Sequence, residues 1–209
     1  MNRHGDGDPA AGGALPAPGL AKPKPAGHLS QYRWDAPVTL SHISGQSPQF
    51  GFPQNQTVRP MSDRVYLDVC CLNRPFDDQS QPRIRMESEA VVLILQAADA
   101  GELELVSSDA IDLELLRHPS AEIREGILAS VRRMSRRLTG SPAVTERARR
   151  LHGLGFGPMD ALHLAFAEKA GADVLLTTDD GLLRLAGRLE SMLKIRVLNP
   201  VRWVQERYP

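Results

Sequence analysis

The stretch Val65–Asn73, which reads VYLDVCCLN, decides the fold of this chain. It is a short apolar run before the polar segment Arg74–Asp78, and this pattern predicts a buried strand of a parallel sheet. Asp68 inside the run needs a partner, because burying an unpaired carboxylate costs on the order of several kcal/mol. Since the carboxyl ends of the strands line the ligand crevice of an open α/β sheet, we expect Asp68 to hold a metal ion there. The competing interpretation is that Asp68 caps the turn after a short strand.

The composition excludes several classes of protein. The 209 residues give room for one α/β domain plus a tail, and the formal net charge of zero indicates no particular partner. No apolar run approaches the roughly 18 residues of a membrane span, and the first residues lack the apolar core of a signal peptide. We therefore expect a cytoplasmic protein that makes no membrane contact.

The two cysteines of the chain, Cys70 and Cys71, are adjacent. In a strand their side chains would point to opposite faces, so they would not form an ordinary structural disulfide. Free thiols fit a reducing cytosol, and two cysteines without nearby histidines make a poor zinc site. We expect both residues to be small, buried packing residues.

Residues 1–60 lack apolar periodicity and contain Pro/Gly/Ala-rich segments such as Ala10–Gly19 and Lys22–Pro25. Such a composition cannot bury enough apolar surface to offset the entropy cost of ordering the chain. We expect a disordered tail here, followed by a domain over residues 61–209 that begins abruptly at Met61. Translation from Met61 would also explain the contrast, with residues 1–60 an extension of the gene model.

Downstream of the first strand, helical and strand patterns alternate. Helical spacing, caps and breakers predict helices over about 82–100, 109–118, 121–138, 142–152, 158–170, 182–189 and 201–206. Short apolar or alternating runs predict further strands over 102–106, 174–178 and 195–198. This order predicts a three-layer α/β/α domain with a central, mainly parallel sheet. The helix that starts at Pro158 is apolar nearly all round, and we expect it to be central.

Four acids stand out: Asp68, Glu114, Asp160 and Asp179. Each of the last three has a local explanation, because Glu114 fits a solvated helix edge, Asp160 fits a helix dipole and Asp179 fits an N-cap. Together, carboxylates at one end of a sheet repel one another unless a cation neutralises them. Hard oxygen ligands select Mg²⁺ or Mn²⁺, which commonly serve phosphate-ester chemistry.

Four segments carry a resemblance to a known family. They are Leu67–Asp68 with Asn73 downstream, Ser107–Glu114 (SSDAIDLE), Met159–Ala165 (MDALHLA) and Leu176–Asp179 (LTTD). In this order they resemble the successive motifs of PIN domains, the metal-dependent ribonuclease fold of VapC-type toxins. The resemblance spans about residues 64–200. Its most specific pieces are DALHLA and the Thr-x-Asp after an apolar strand, whereas the Glu114 position has Asp109 and Asp112 close by.

The resemblance implies an endoribonuclease that hydrolyses RNA phosphodiesters with bound Mg²⁺ or Mn²⁺. It implies that Asp68, Asp160 and Asp179 are metal ligands and that Glu114 is a further ligand or orients the attacking water. If the chain is a toxin, its partners are a separate antitoxin protein and a second copy of itself in a homodimer. Further candidates for substrate contact are Asn73, Arg74, Asp180 and His163, with a packed helix histidine as the competing interpretation of His163.

One departure supports a second hypothesis. The family often has Thr or Ser directly after the first Asp, where this chain has Val69. A catalytically weak or inactive PIN-fold module that binds RNA or protein is therefore the alternative function. A haloacid-dehalogenase-type phosphatase would need Asp-x-Asp after the first strand, and Cys70 stands at the second position.

Arginines are concentrated between Glu114 and Asp160. They are Arg132, Arg133, Arg136, Arg137, Arg147, Arg149 and Arg150. Phosphate binding is one interpretation, because an acidic site that acts on a polyanion needs cations around it. The other is an ordinary solvated helix face.

Overall fold

The computed structural model describes residues 63–132, 134 and 136–209. The predictions of a disordered tail over residues 1–60 and of a start at Met61 lie outside the described residues, and so does Arg133.

In the described part of the chain, the core is a parallel sheet of five strands. The strands are β1 (Asp63–Leu67), β2 (Leu103–Ser108), β3 (Arg136–Leu138), β4 (Val174–Leu176) and β5 (Arg196–Leu198). Their order across the sheet is β3-β2-β1-β4-β5, and every neighbouring pair is parallel. The predicted α/β class with a central parallel sheet is confirmed.

Helices cover the sheet on both sides. The described residues form α1 (Val69–Asn73), α2 (Pro82–Asp99), α3 (Asp109–Leu115), α4 (Ala121–Arg132), α5 (Pro142–Gly153), α6 (Pro158–Ala170), α7 (Asp180–Arg188) and α8 (Pro200–Arg207). Helices α3 and α5 pack against α6, whereas α2 packs against α8. No helix in the described part of the chain combines the length and apolarity needed to cross a membrane.

Strand β1 is central because its residues are apolar on both faces. Val65, Tyr66 and Leu67 have no exposed surface, as expected for a strand covered on both sides. The register places Leu67 beside Leu176 of β4, and the backbone N–H of Asp68 donates to the carbonyl of Leu176 at 3.0 Å. Strands β1 and β4 therefore end at the same edge of the sheet, where Asp68 begins the next segment.

The predicted first strand is too long. β1 ends at Leu67, and Val69–Asn73 forms the short helix α1, in which the Asp68 carbonyl accepts from Cys71 N at 3.0 Å. Val69 and Cys71 are buried in this helix. A short apolar run fits a buried helix as well as a buried strand, which is why periodicity did not separate them.

The predicted helix to residue 138 is also wrong at its end. Helix α4 ends at Arg132, and Arg136–Leu138 forms the edge strand β3 beside β2. The three residues of β3 read RRL and carry no apolar alternation. Tertiary contacts hold the segment instead, since Arg137 pairs with Asp109 and Asp112 and Gly140 N donates to Asp109 Oδ2 at 2.7 Å.

The helix starts at proline were predicted correctly. Pro82, Pro142 and Pro158 occupy the first turns of α2, α5 and α6, where their missing N–H would be unpaired in any case. Gly171 ends α6 in the left-handed conformation with φ 64°. Leu164 and Phe166 of α6 are buried, which confirms that this helix is central.

Candidate metal centre

Asp68 stands at the carboxyl end of β1 and is 6% exposed. It occupies the N-cap position of α1, but its side chain makes no capping hydrogen bond. Its Oδ2 instead accepts from Thr177 Oγ1 at 2.8 Å and from Cys70 Sγ at 3.1 Å. The turn-cap interpretation therefore describes the backbone of Asp68, whereas its carboxylate is held by donors from α1 and from the end of β4.

Thr177 joins two of the predicted site residues. It is fully buried and follows β4 directly. Its hydroxyl donates to Asp68, and its oxygen accepts from the backbone N–H of Asp179 at 3.1 Å. Val69 is buried and offers no hydroxyl, but Asp68 has hydroxyl support from Thr177.

The cysteines lie in the helix α1 and not in the predicted strand. Cys71 is buried, its thiol donates to the Leu176 carbonyl at 3.3 Å, and burial raises the pKa of this thiol well above its ordinary value. Cys70 is half-buried and contacts Asp68 and Thr177. Cys71 is therefore the buried packing residue that the sequence predicted, whereas Cys70 packs against the core only partly buried and also contacts the carboxylate of Asp68.

Glu114 and His163 meet Asp68 from two helices. His163 Nε2 lies 2.8 Å from Glu114 Oε2 and 3.8 Å from Asp68 Oδ1. One ligand atom from each of these three residues lies within 4.8 Å of the other two. Asp109 and Asp112, the neighbouring acids on α3, pair with Arg137 instead. Of the acids in SSDAIDLE, the structure therefore brings Glu114 to Asp68.

His163 is both a packed helix residue and a neighbour of the site. It is 1% exposed, and its Nδ1 lies 2.8 Å from the hydroxyl of Tyr66, which lies 2.6 Å from Ser108 Oγ. Burial lowers the pKa of His163, but the hydrogen bond with Glu114 and the charges of Asp68, Glu114 and Asp160 outweigh burial and raise it. Sequence reasoning missed Tyr66 and Ser108, although Tyr66 shares the strand face of Asp68 by its spacing of two.

Asp160 lies in the first turn of α6 and points back to the start of the helix. A Cβ atom on Gly157 would lie 2.8 Å from Asp160 Oδ2, so the residue at this N-cap position leaves room for the carboxylate. Burial and then the charges of Asp68 and Asp179 raise the pKa of Asp160, while His163 and a backbone hydrogen bond from Gly157 lower it less. Asp160 is thus the predicted dipole-compensating residue and also lies within electrostatic range of Asp68 and Asp179.

Asp179 is the N-cap of α7. Its Oδ1 accepts from Leu182 N at 2.9 Å, and a Cβ atom on Gly181 would lie 2.9 Å from that oxygen. The capping interpretation of Asp179 is therefore correct. The residue also belongs to the acidic edge, because its charge contributes to the raised pKa of Asp160.

Two predicted substrate contacts form ion pairs with residues outside this cluster. Asp180 forms two hydrogen bonds with Arg83 at 2.8 and 2.6 Å, and this arginine lowers the pKa of Asp180. Arg74 Nε lies 2.7 Å from Oε2 of the buried Glu87 without hydrogen-bond alignment, and Arg74 Nη1 donates to Asp77 at 2.9 Å.

Asn73, another predicted substrate contact, lies at the end of α1. Its Oδ1 is buried and has no hydrogen-bond partner among the described residues.

The predicted arginine group is divided between different roles. Arg147 donates to both carboxylate oxygens of the buried side chain of Glu168 at 2.7 and 2.8 Å, and Arg137 holds the start of α3. Arg150 is exposed and 3.6 Å from Glu146. Arg147 and Arg150 also line a cavity of about 260 Å³, together with Lys169 and Lys194.

The comparison with known proteins agrees with this geometry. A family model described as PIN domain matches residues 65–188, a range that includes all four predicted acids. No curated protein matches the chain. Because the match covers more than half of the sequence, the chain belongs to the PIN domain family, whose members are generally nucleases.

Proposed function

We propose that this protein is a divalent-metal-dependent endoribonuclease. The observation that carries the proposal is the convergence of Asp68, Glu114 and His163, with one carboxylate oxygen or imidazole nitrogen from each within 4.8 Å of the others. They meet at the carboxyl edge of a parallel sheet, the edge at which open α/β folds bind ligands. The membership of the PIN domain family supports hydrolysis of phosphodiester bonds as the chemistry.

The chemistry of the donors fits a hard cation. Carboxylate oxygens are the ligands that Mg²⁺ and Mn²⁺ prefer. Burial and then the charges of Asp68 and Asp179 raise the pKa of Asp160, and a cation among these groups would relieve the repulsion between the carboxylates. We assign Asp68, Asp160 and Asp179 as the residues that would hold Mg²⁺ or Mn²⁺.

The residues of this chain then have distinct roles. When bound, the ion supplies Lewis-acid activation of the scissile phosphate and of the attacking water. Thr177 and Cys70 hold Oδ2 of Asp68 through their hydrogen bonds. Glu114 serves as a further ligand or orients the water, which fits a side chain that is 37% exposed at the cluster.

An RNA substrate requires cations beyond the acidic edge. Arg74 and Asp180 are held in ion pairs of their own, so we assign them to the framework around the site. The exposed residues Arg150, Lys169 and Lys194 border one cavity. Because Lys169 is in the last turn of α6 and Asp160 is in its first turn, these cations would contact phosphates beyond the cleavage site.

The resemblance to VapC-type toxins extends the proposal to a biological role. In this role the protein acts in the cytoplasm, as a homodimer, and a separate antitoxin chain inhibits it. Induced expression should then arrest growth of the host, and the Asp160→Asn variant should not. Growth arrest that is the same with both chains would argue against a toxic activity based on cleavage.

The competing function is an RNA- or protein-binding module without cleavage, and the residue that supports this alternative is Val69. The hydrogen bond from Thr177 to Asp68 weakens the argument from Val69, because the carboxylate has a hydroxyl donor without a hydroxyl at position 69. The Val69→Thr variant distinguishes the binding module from the nuclease. The module hypothesis predicts that this change creates or greatly increases cleavage, whereas the nuclease proposal predicts cleavage by the unchanged chain.

A cleavage assay tests the proposal. The full chain should cut a mixed RNA pool with Mg²⁺ or Mn²⁺ and stop when a chelator is added. Asp160→Asn should reduce the rate by about 100-fold or more, since the loss of a charged ligand costs at least a few kcal/mol. The matched control is Asp180→Asn, which neutralises an acid paired with Arg83 outside the cluster and should keep the rate within a few-fold. Folded wild-type protein that cuts no RNA with either metal would contradict the proposal.

A further inference from the structure

A buried chain of hydrogen bonds lies behind the acidic edge and ends on Glu114. It connects Ser108 at the end of β2, Tyr66 in β1, His163 in α6 and Glu114 in α3. Ser108, Tyr66 and His163 are each at most 1% exposed. Water therefore does not compete for these groups, and the direction in which each proton points follows from counting donors and acceptors.

The chain begins at a backbone donor. The hydroxyl of Ser108 is the N-cap of α3 and accepts from Ala110 N at 3.2 Å. Because that bond uses an acceptor position, the hydroxyl proton of Ser108 remains to be donated. Among the described residues, the hydroxyl of Tyr66 at 2.6 Å is the partner available for it.

The hydroxyl of Tyr66 lies between Ser108 and His163 in this chain of hydrogen bonds. Burial, more than any other influence, raises the pKa of Tyr66 well above its ordinary value, so the phenol keeps its single proton. If Ser108 donates to the Tyr66 oxygen, the Tyr66 proton points to His163 Nδ1 at 2.8 Å. The reverse order would leave the hydroxyl proton of Ser108 buried without an acceptor in the described part of the chain, which costs free energy.

His163 is the next member. An Nδ1 atom that accepts a hydrogen bond carries no proton, so in the neutral ring the proton is on Nε2. Nε2 lies 2.8 Å from Glu114 Oε2 and 3.8 Å from Asp68 Oδ1, so its proton is directed at Glu114. A protonated Nε2 has no lone pair to give to a metal ion.

We propose that His163 is a positioning residue and not a metal ligand. Ser108 and Tyr66 fix its imidazole as the neutral Nε2–H tautomer, and that N–H holds the carboxylate of Glu114 at the acidic edge. The proposal deepens the nuclease assignment and rests on it for the identity of the site. Its consequence is a metal site made of oxygen ligands alone, which suits Mg²⁺ or Mn²⁺ better than Zn²⁺.

The structure also explains why Glu114 needs such a donor. Glu114 is on the short helix α3, and its side chain is 37% exposed, whereas the side chain of Asp68 is 9% exposed. Asp68 has donors on Oδ2 from two sides, while Glu114 has His163 as the donor that the structure gives it. Without that donor, the carboxylate of Glu114 would form hydrogen bonds with solvent instead.

Nuclear magnetic resonance of the imidazole nitrogens tests the proposal without an activity assay. The full chain with ¹⁵N-labelled histidine has six histidines, and the spectrum of His163→Gln identifies the signals of His163 by their loss. The spectrum is recorded over a pH titration, and above the raised pKa of His163 we expect a protonated Nε2 and an unprotonated Nδ1. Saturating Mg²⁺ should leave both unchanged. Loss of the Nε2 proton on addition of Mg²⁺, an Nδ1–H tautomer, or two protonated nitrogens in the Mg²⁺-bound protein would overturn the proposal.

Variants provide a second measurement, the affinity for Mn²⁺ by calorimetry. His163→Leu should bind Mn²⁺ about 10- to 100-fold more weakly, as losses of residues that support a ligand do. His163→Gln keeps an N–H donor for Glu114 and should stay within a few-fold of the wild type. Equal losses in both variants would mean that His163 is a ligand. The matched control is His118→Gln, at a histidine that bonds with Ser120 in the loop after α3.

Tyr66→Phe tests the start of the chain. The variant keeps the ring and removes the hydroxyl, so the Nε2–H tautomer should lose its dominance in the nitrogen spectrum. An unchanged tautomer in Tyr66→Phe would overturn the role of Tyr66. These outcomes do not depend on RNA cleavage, so failure of the nuclease assignment and failure of this proposal remain distinguishable.

Discussion

The four acids of the candidate site are held in two different ways. Asp160 and Asp179 are at helix starts, where Gly157 N–H and Leu182 N–H, a few residues away, hold their carboxylates. Asp68 and Glu114 are held by residues far along the chain, by Thr177 at a separation of 109 residues and by His163 at 49. The first pair is built by local structure, whereas the second exists only when the whole sheet is assembled.

This difference has a physical consequence. A locally held acid interacts with its own helix through a cap or a dipole, independently of a metal ion. An acid held by buried long-range donors makes those donors dependent on it, because each is desolvated when the domain folds. At Asp160 and Asp179, substitutions should therefore change stability and metal binding separately. At Asp68 and Glu114, one substitution should change both together.

The largest stability effect is expected at Thr177. Thr177→Val removes a fully buried hydroxyl that donates to Asp68 and accepts from Asp179 N. We expect a loss of about 1–3 kcal/mol in the free energy of unfolding, since polar partners are left without a bond. Urea denaturation measures it, and Thr177→Ser should recover most of the loss. A valine variant as stable as the wild type would mean that Asp68 is not held through Thr177.

At Asp179, the effects on stability and on metal binding should be separable. Asp179→Ala removes the N-cap of α7 and should cost about 1 kcal/mol. Asp179→Ser replaces the cap and should restore the free energy of unfolding, while the affinity for Mn²⁺ stays low because the charge is gone. If the serine variant binds Mn²⁺ as tightly as the wild type, Asp179 caps α7 and does nothing more.

Asp160 should show a smaller effect of opposite sign. Its pKa is raised in the folded protein, so the protein without metal is favoured by protonated Asp160, and this contribution is lost as the pH rises from about 4 through the raised value. Asp160→Asn should therefore raise the free energy of unfolding at neutral pH, by less than about 1 kcal/mol because solvent screens a half-exposed group. Thermal unfolding between pH 4 and 8 in chelator measures it, and a variant that is less stable than the wild type at neutral pH would contradict the account.

Asp180 is the matched control with the reverse sign. Arg83 lowers the pKa of Asp180, so the stabilising contribution of this acid is present at neutral pH and is lost as the pH falls through the lowered value. Asp180→Asn should therefore destabilise the protein slightly at neutral pH, in the presence or absence of Mg²⁺. Equal signs for the two variants would show that burial and the charges of Asp68 and Asp179 do not disfavour the charged form of Asp160.

The same distinction explains what the sequence predicted. Signals within a few residues were sufficient for the helices that begin at Pro82, Pro142 and Pro158, for the stop at Gly171 and for the cap at Asp179. The four acids stood out by their positions in the predicted elements, and the resemblance of their motifs to PIN domains implied that they form one site. The buried first strand was recognised because both of its faces are apolar.

The failures lie where long-range contacts decide. β3 reads RRL and is a strand because it pairs with β2 and because Arg137 meets Asp109 and Asp112. The roles of Thr177 and of Tyr66 depend on partners about 100 residues away, and no local pattern specifies such partners. The residues of α1 were predicted as part of the first strand, since an apolar run of five residues does not distinguish helix from strand.

The most direct test of the account is a calorimetric titration of Mn²⁺ into the full chain and into Asp68→Asn, with Asp180→Asn as the control. Asp68 is the acid at which the two kinds of support meet, because Thr177 joins it to Asp179. The account predicts saturable binding by the wild type and by Asp180→Asn, and a loss of about 100-fold or more in Asp68→Asn, in line with the removal of a charged ligand. Binding of equal affinity in all three proteins, or no binding by the folded wild type, would contradict a metal site at the carboxyl edge of this sheet.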